Sequence, residues 1–191
     1  MSKTVQKYGY KLAESILGIT PDEYALSMSE YYRIYSFYVT YSMSGTQSAK
    51  KRSFIDYGWR SNNLKNPELG NRLAEILSLN RNNFFIFTEK DDLREQFERL
   101  QLLNGPVENL EYERAVIAHT SAENNYLRLF YRIRDGFAHG KFKLRYSSVG
   151  EKMVVIQDND RDNVTARIVI SLSTLLRFID AIDVNNIIGN Y

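Results

Sequence analysis

One long periodic stretch constrains the fold of this 191-residue chain more than any other feature. Over residues 107–137, mostly apolar and aromatic residues recur at steps of three and four, which is the spacing of one face of an α-helix. The stripe consists of Tyr112, Val116, His119, Glu123, Tyr126, Phe130, Ile133 and Phe137. We therefore expect one long helix over residues 107–137, packed within a helical bundle.

Directly after this stripe, the period changes from helical to alternating. Apolar and basic residues alternate over residues 141–146, which predicts a strand with one apolar and one basic face. The apolar members are Phe142, Leu144 and Tyr146, and the basic members are Lys141, Lys143 and Arg145. Two more apolar runs, at 153–157 and 164–170, predict two further strands. Ser171 is then placed to cap a last helix with an apolar face.

Start and stop signals predict three helices in the first half of the chain. Thr20, Pro21 and Glu23 form a helix start, and the helix should run to about residue 42, although the aromatic run at 34–41 also suits a strand. A second helix should open at residues 66–67. A third should run from Thr88 to a stop at residues 104–106. Residues 44–51 read as a loop, and residues 84–87 form a short buried segment of undecided type.

These elements leave no linker long enough to divide the chain, so we expect a single domain over residues 1–191. The expected fold is mainly α: a helical bundle with a small antiparallel β insertion at about residues 141–170 and a C-terminal helix. No apolar run approaches the roughly 18 residues that span a bilayer, and the first residues lack the apolar core of a signal peptide. We expect a cytoplasmic protein that does not contact a membrane.

The residue types present also limit the chemistry. The chain has no cysteine, which excludes disulfides, a thiol nucleophile and a thiolate metal site. With two histidines, a zinc site would need carboxylates for most of its ligands, and no such cluster is visible. The net charge is only +2, yet residues 128–145 hold six basic residues and one acidic residue, a local net charge of +5. This patch predicts an anionic partner, although a solvated helix end and strand face would have the same composition.

The stretch Arg-Asp-Gly-Phe-Ala-His-Gly at residues 134–140 carries the side chains best suited to chemistry. Arg134 offers a planar fork of donors that fits phosphate oxygens, and His139 can transfer protons near neutral pH. Asp135 lies one helical turn before His139, where its carboxylate could orient the imidazole. Alternatively, Arg134 and His139 only complement the dipole at a helix C-terminus.

The same spacing occurs 20 residues earlier, in Arg114 and His119. On one helix, the two pairs would lie about 200° apart, so they could not line one cleft within a single chain. His119 lies on the apolar stripe, four residues before Glu123, and we expect it to be a core histidine paired with that carboxylate. The second Arg/His pair, Arg134 and His139, is therefore the expected functional pair.

The stretch at residues 134–140 resembles the signature of the HEPN superfamily, which is Arg, a polar residue, three more residues and His, often followed by Gly, on a helix of an all-α bundle. The specific match covers about seven residues. Many members are metal-independent endoribonucleases of toxin–antitoxin, phage-defence or CRISPR-linked systems, and others keep the fold without activity. By resemblance, Arg134 and His139 match the catalytic residues and Asp135 the polar position. Lys141 stands where some toxin members carry a tyrosine that a partner enzyme modifies.

The resemblance implies a homodimer that brings two motifs into one cleft, and it implies no cofactor or metal. His139 would help deprotonate a ribose 2′-hydroxyl, Arg134 would stabilise charge on the phosphate, and the RNA backbone would be held by Lys141, Lys143 and Arg145. We therefore expect a metal-independent endoribonuclease whose partners are RNA, a second copy of the chain and an antitoxin or defence-system protein. Two alternatives stay open: a non-catalytic HEPN-like module that binds RNA or protein, and an unrelated α+β scaffold.

Overall fold

The computed structural model describes residues 10–11, 16–17, 26–42, 52–59, 67–77, 80–87, 93–119, 125–161 and 163–189. Within these residues the chain forms a mixed α/β fold. The elements in chain order are β1 (Tyr10–Lys11), α1 (Met28–Ile34) with a π-helical continuation (Tyr35–Thr40), α2 (Pro67–Ile76), β2 (Phe84–Phe87), α3 (Leu93–Arg99), β3 (Arg114–Ala118), α4 (Asn125–Ala138), β4 (Phe142–Tyr146), β5 (Lys152–Asp160), β6 (Asn163–Ser171) and α5 (Leu172–Ile182).

One mixed sheet organises the described residues, with the strand order β2-β3-β6-β5-β4. The β2 and β3 strands are parallel, and the remaining pairs along this path are antiparallel. The short β1 strand pairs with one end of β6. Because β5 and β6 form the longest pairing and lie inside the sheet, they are the centre of the fold.

Two apolar cores cover the two faces of the sheet. The larger core lies between one face and α1, its π-helical continuation, α2, α4 and α5. The smaller core lies on the other face, beneath α3 and the segment at residues 100–110. Alternate residues of a strand enter opposite cores, as Ile117 and Ile168 do on the first face and Val116 and Val169 on the second.

The prediction of a mainly α-helical bundle is wrong. The residues expected to form one helix over 107–137 instead contain a loop, strand β3 and, from Asn125, helix α4. All five residues of β3 are buried, because both faces of this strand are covered. A strand covered on both faces reads as a continuous apolar run, so its period cannot be separated from that of a buried helix. The strands at 141–170 are likewise not a small insertion but more than half of the central sheet path.

Several local predictions are confirmed. The three strands expected between residues 141 and 170 are β4, β5 and β6, and Ser171 is the N-cap of α5, where its hydroxyl accepts a hydrogen bond from the Thr174 N–H at 3.0 Å. The undecided segment at 84–87 is a strand. Residues 34–41 are helical or turn rather than a strand.

Three other local predictions concern residues outside the described ranges. The proposed helix start at Thr20–Glu23, the proposed cap at Thr88 and the loop at 44–51 lie outside the described residues. The α1 helix begins with a capping box formed by Ser27 and Glu30.

No helix in the described ranges combines the length and apolar character needed to cross a membrane.

Candidate functional site

Helix α4 carries the second Arg/His pair and lies directly on the sheet. A Cβ atom at Gly136 would overlap Cγ2 of Ile156 on β5, so only glycine allows this close approach of helix and strand. On a neighbouring flank of α4, the Phe137 ring packs 6.0 Å from the Tyr38 ring and 4.7 Å from the Phe142 ring. These contacts fix the position and the rotation of the last turns of α4.

The C-terminal end of α4 is closed by two backbone hydrogen bonds. The N–H of Lys141 donates to the carbonyl of Gly136 at 2.8 Å, and the N–H of Gly140 donates to the carbonyl of Phe137 at 3.3 Å. Gly140 has a φ of +63°, which is the left-handed conformation that this type of helix end requires. The chain therefore turns away from the helix directly after His139, whose side chain is exposed to solvent.

Arg134 forms an ion pair with its neighbour in the sequence. Its Nη1 atom lies 2.7 Å from Oδ1 of Asp135, and the two side chains are 12% and 28% exposed. The Nε atom of Arg134 is buried and has no hydrogen-bond acceptor among the described residues. The ion-pair partner of Asp135 in the structure is thus Arg134, and among the described residues Asp135 forms no contact with the His139 ring. The expected role of Asp135 in orienting His139 stays a prediction.

Four polar residues form a line along α4, which we call the α4 polar stripe. Its members are Arg128, Arg132, Asp135 and His139, at successive steps of four, three and four residues. Arg134 leaves the helix about 140° from His139, whereas Asp135 leaves it about 40° from His139. Because the Arg134 guanidinium binds Asp135, it is directed toward the stripe that contains His139.

The middle of the α4 polar stripe is structural. Nη1 of Arg132 lies 2.6 Å from Oδ2 of Asp158 on β5, and both side chains are almost fully buried. The hydroxyl of Thr165 donates to the same carboxylate oxygen at 2.6 Å. Thr165 is the extra residue of a bulge in β6, since Asp158 faces Ala166 and the next residue of β5 faces Val164. Arg132 therefore contributes no exposed positive charge to the surface.

At least two of the three residues predicted to hold RNA, Lys143 and Arg145, lie on the face of the sheet opposite α4. Lys141 continues from the helix end, and its carbonyl accepts a hydrogen bond from the Gln157 N–H at 3.1 Å. On β4, Leu144 enters the larger core beneath the helices, so its neighbours Lys143 and Arg145 point to the opposite face of the sheet. There Nη1 of Arg145 donates to the carbonyl of Val107 at 2.7 Å. The local net charge of +5 is thus divided between two faces and the interior.

The two residues of the first Arg/His pair lie at opposite ends of strand β3. Arg114 is fully buried at the start of β3, and its guanidinium donates to three backbone carbonyls, those of Leu100, Asn109 and Tyr112, at 2.6–2.9 Å. Burial lowers the pKa of Arg114, because the guanidinium is removed from water. This residue holds the loop between α3 and β3 in place.

His119 directly follows β3 and contacts an arginine that is nine residues away in the sequence. Nε2 of His119 lies 3.1 Å from Nη2 of Arg128, in the first turn of α4. The expected partner, Glu123, lies outside the described residues. A spacing of nine residues has no helical or strand signature, so the contact could be found only once β3 and α4 were known to meet.

A search of protein-family models, curated proteins and solved structures finds no match for this chain. Within the described part of the chain, no group of three or more His, Cys, Asp or Glu side chains is arranged to hold a metal ion.

Proposed function

We propose that this protein is a metal-independent endoribonuclease whose reaction centre is the C-terminal end of α4. One observation carries the proposal: the Arg134 guanidinium is paired with Asp135, which lies one helical turn before the exposed His139. A phosphate bound there would meet a cation and a proton-transfer group, which are the two requirements for cleavage of RNA by its own 2′-hydroxyl. The HEPN resemblance of residues 134–140 supports the same assignment, although the helical bundle that it implied is absent from the described residues.

In this reaction the His139 imidazole takes the proton of a ribose 2′-hydroxyl, and the 2′-oxygen forms a bond to the adjacent phosphorus. Arg134 stabilises the negative charge that develops on the phosphate oxygens. The bond from phosphorus to the 5′-oxygen breaks, and this oxygen takes a proton and leaves as a hydroxyl. The products are a 2′,3′-cyclic phosphate and a 5′-hydroxyl end. DNA lacks the attacking group and is not cleaved.

A second copy of the chain would complete the site. Within one chain, a single imidazole has to remove one proton and supply another, on opposite sides of the phosphorus. A two-fold axis beside the end of α4 would place a second imidazole and a second guanidinium at the same phosphodiester. The protein is accordingly proposed to act as a homodimer in the cytoplasm, and a role in a toxin–antitoxin or phage-defence system is part of the same proposal.

The test compares purified wild type with His139→Ala and Arg134→Ala on mixed RNAs in the presence of EDTA. Each substitution should lower the cleavage rate by about 100-fold or more, because each removes one catalytic contribution of that size. Arg94→Ala is the matched control, since Arg94 on α3 also pairs with a nearby carboxylate, that of Glu98 at 2.8 Å, and should leave cleavage unchanged. Cleavage that persists in both motif variants, or that EDTA abolishes, excludes this assignment.

A second candidate function is a module that binds RNA or a protein without cleaving it. The observation that favours it is the same ion pair, because Asp135 already neutralises part of the Arg134 charge. Asp135→Asn separates the candidates. It should raise the affinity of a non-catalytic module for RNA without producing any cyclic phosphate, whereas a nuclease should yield cyclic phosphate ends before and after the substitution.

A further inference from the structure

The contact between Arg128 and His119 is not used by the proposed reaction. Nη2 of Arg128 lies 3.1 Å from Nε2 of His119, and Nη1 of Arg128 donates to Oδ1 of Asn125 at 2.8 Å. Both side chains of the pair are half-buried, so each is partly exposed to solvent. The contact joins the end of β3 to the first turn of α4, and it therefore has a fixed place relative to the rest of the α4 polar stripe.

The chemistry of this pair fits a phosphate group. A guanidinium presents two or more N–H donors in one plane, which matches two oxygens of a phosphate. Burial lowers the pKa of Arg128, because the guanidinium has lost part of its water. An anion that contacts the exposed part of the guanidinium would favour its charged form. With Nε2 unprotonated, the neighbouring imidazole accepts a hydrogen bond from Nη2 of Arg128 and so orients the guanidinium, and the ring proton then lies on Nδ1.

The position of the pair also fits a strand of RNA bound at His139. Arg128 and His139 lie on the same stripe, 11 residues apart, which corresponds to about 16 Å along the helix axis. In a stacked strand at about 3.4 Å per nucleotide, this distance separates phosphates that are about five nucleotides apart. Between them, the buried ion pair of Arg132 and Asp158 holds α4 against β5, so the distance between the two ends is fixed.

We propose that Arg128 and His119 form a phosphate-binding subsite for single-stranded RNA, at the opposite end of the α4 polar stripe from His139. The identity of the ligand as RNA rests on the proposed function. Arg128 and His119 hold the strand, and the phosphodiester that is cleaved lies at His139.

The experiment measures binding in a His139→Ala background, where RNA is not cleaved. A labelled 12-nucleotide single-stranded RNA is titrated at several salt concentrations against this protein and against the same protein carrying Arg128→Gln. The substitution should weaken binding about tenfold, as expected for a lost charge-assisted hydrogen bond. It should also reduce the slope of log affinity against log salt by about 0.7, the value for one phosphate contact to a single strand. A purely structural role of Arg128 would not change this slope.

Two further variants provide the controls. His119→Gln should weaken binding by less than Arg128→Gln, because the glutamine retains a donor and an acceptor but not the imidazole. Arg94→Gln removes one positive charge from α3 and should change neither the affinity nor the slope. Urea unfolding of each variant checks that the protein remains folded.

The outcomes separate this proposal from the proposed nuclease activity. An unchanged slope for folded Arg128→Gln, an equal loss for Arg94→Gln, or no binding of RNA at all would overturn the subsite. If RNA is bound with the expected dependence on Arg128 but wild type never cuts it, the nuclease proposal fails and the subsite stands. If wild type cuts RNA while Arg128→Gln binds it normally, only the subsite fails.

Discussion

The two Arg/His pairs of this chain have the same sequence spacing and different structural surroundings. In the first pair, Arg114 begins strand β3 and His119 directly follows it, and this strand is buried on both faces. Arg114 donates to three backbone carbonyls in the interior. The second pair lies at the end of a helix, where Arg134 binds a carboxylate near the surface and His139 is exposed. The same spacing therefore contains an arginine that holds a loop in the first pair, and the residues of the proposed reaction centre in the second.

This difference shows what a spacing motif can and cannot convey. The side chain of an arginine is long enough to bind wherever acceptors are concentrated, so its role depends on what surrounds it rather than on the position of a nearby histidine. In the interior, the acceptors are carbonyls of an irregular segment that would otherwise be unsatisfied. At the end of α4, the acceptor is the carboxylate of Asp135.

The largest effect that tests this comparison is on stability. Arg114→Met should lower the free energy of unfolding by about 3 kcal/mol or more, because it leaves three buried carbonyls without their donor. Arg134→Met should change the free energy of unfolding by less than about 1 kcal/mol, since it breaks a partly exposed ion pair. Urea unfolding followed by circular dichroism measures both. Equal losses in the two variants would show that the two arginines do not differ as the structure indicates.

The strands and the helix that follow α4 could be predicted from the sequence, because their signals are local. Strand β4 alternates apolar and basic residues, and Ser171 caps the helix that begins beside it. Strand β3 could not be predicted, since Arg114 and the apolar residues after it gave no period of their own once both faces were buried. Its pairing with β2 and β6 depends on residues about 30 and 50 positions away. The helical bundle was therefore the wrong conclusion from a correctly observed apolar stretch.

The candidate site was predictable to a similar extent. Residue types indicated Arg134 and His139, and the exposed position of His139 directly before Gly140 agrees with the helix end expected there. The sequence could not show that Asp135 binds Arg134, because a carboxylate can reach the preceding residue or the residue one turn later. It also could not show that Arg128 contacts His119, since that contact requires the strand and the helix to be placed first.

Two glycines distinguish the second pair from the first, and each should respond to a different rescue. Gly136→Ala should cost about 1–3 kcal/mol, because its methyl group overlaps Ile156 on β5. Gly140→Ala should cost about 1–2 kcal/mol, because residue 140 adopts a positive φ, although its surroundings are open.

The rescue variants separate steric overlap from backbone strain. Ile156→Ala combined with Gly136→Ala should cost less than the sum of the two single losses, because the overlapping atom is gone. Gly140→Asn should recover much of the loss of Gly140→Ala, because asparagine adopts the left-handed conformation more readily. The free energies of unfolding of the five variants measure these effects. If Gly136→Ala costs as much in the Ile156→Ala background as in wild type, the close contact between α4 and β5 is contradicted.

The smallest effect concerns the two histidines themselves. His119→Gln should lower the free energy of unfolding by about 0.5–1.5 kcal/mol, because it weakens the hydrogen bond to Arg128 that joins β3 to α4. His139→Gln should stay within about 0.5 kcal/mol of wild type, since the side chain is exposed at the helix end. Paired urea titrations on the same day can resolve a difference of this size. If His139→Gln is the less stable variant, His139 is a structural residue in this chain, and the second pair then resembles the first more closely than its place on α4 implies.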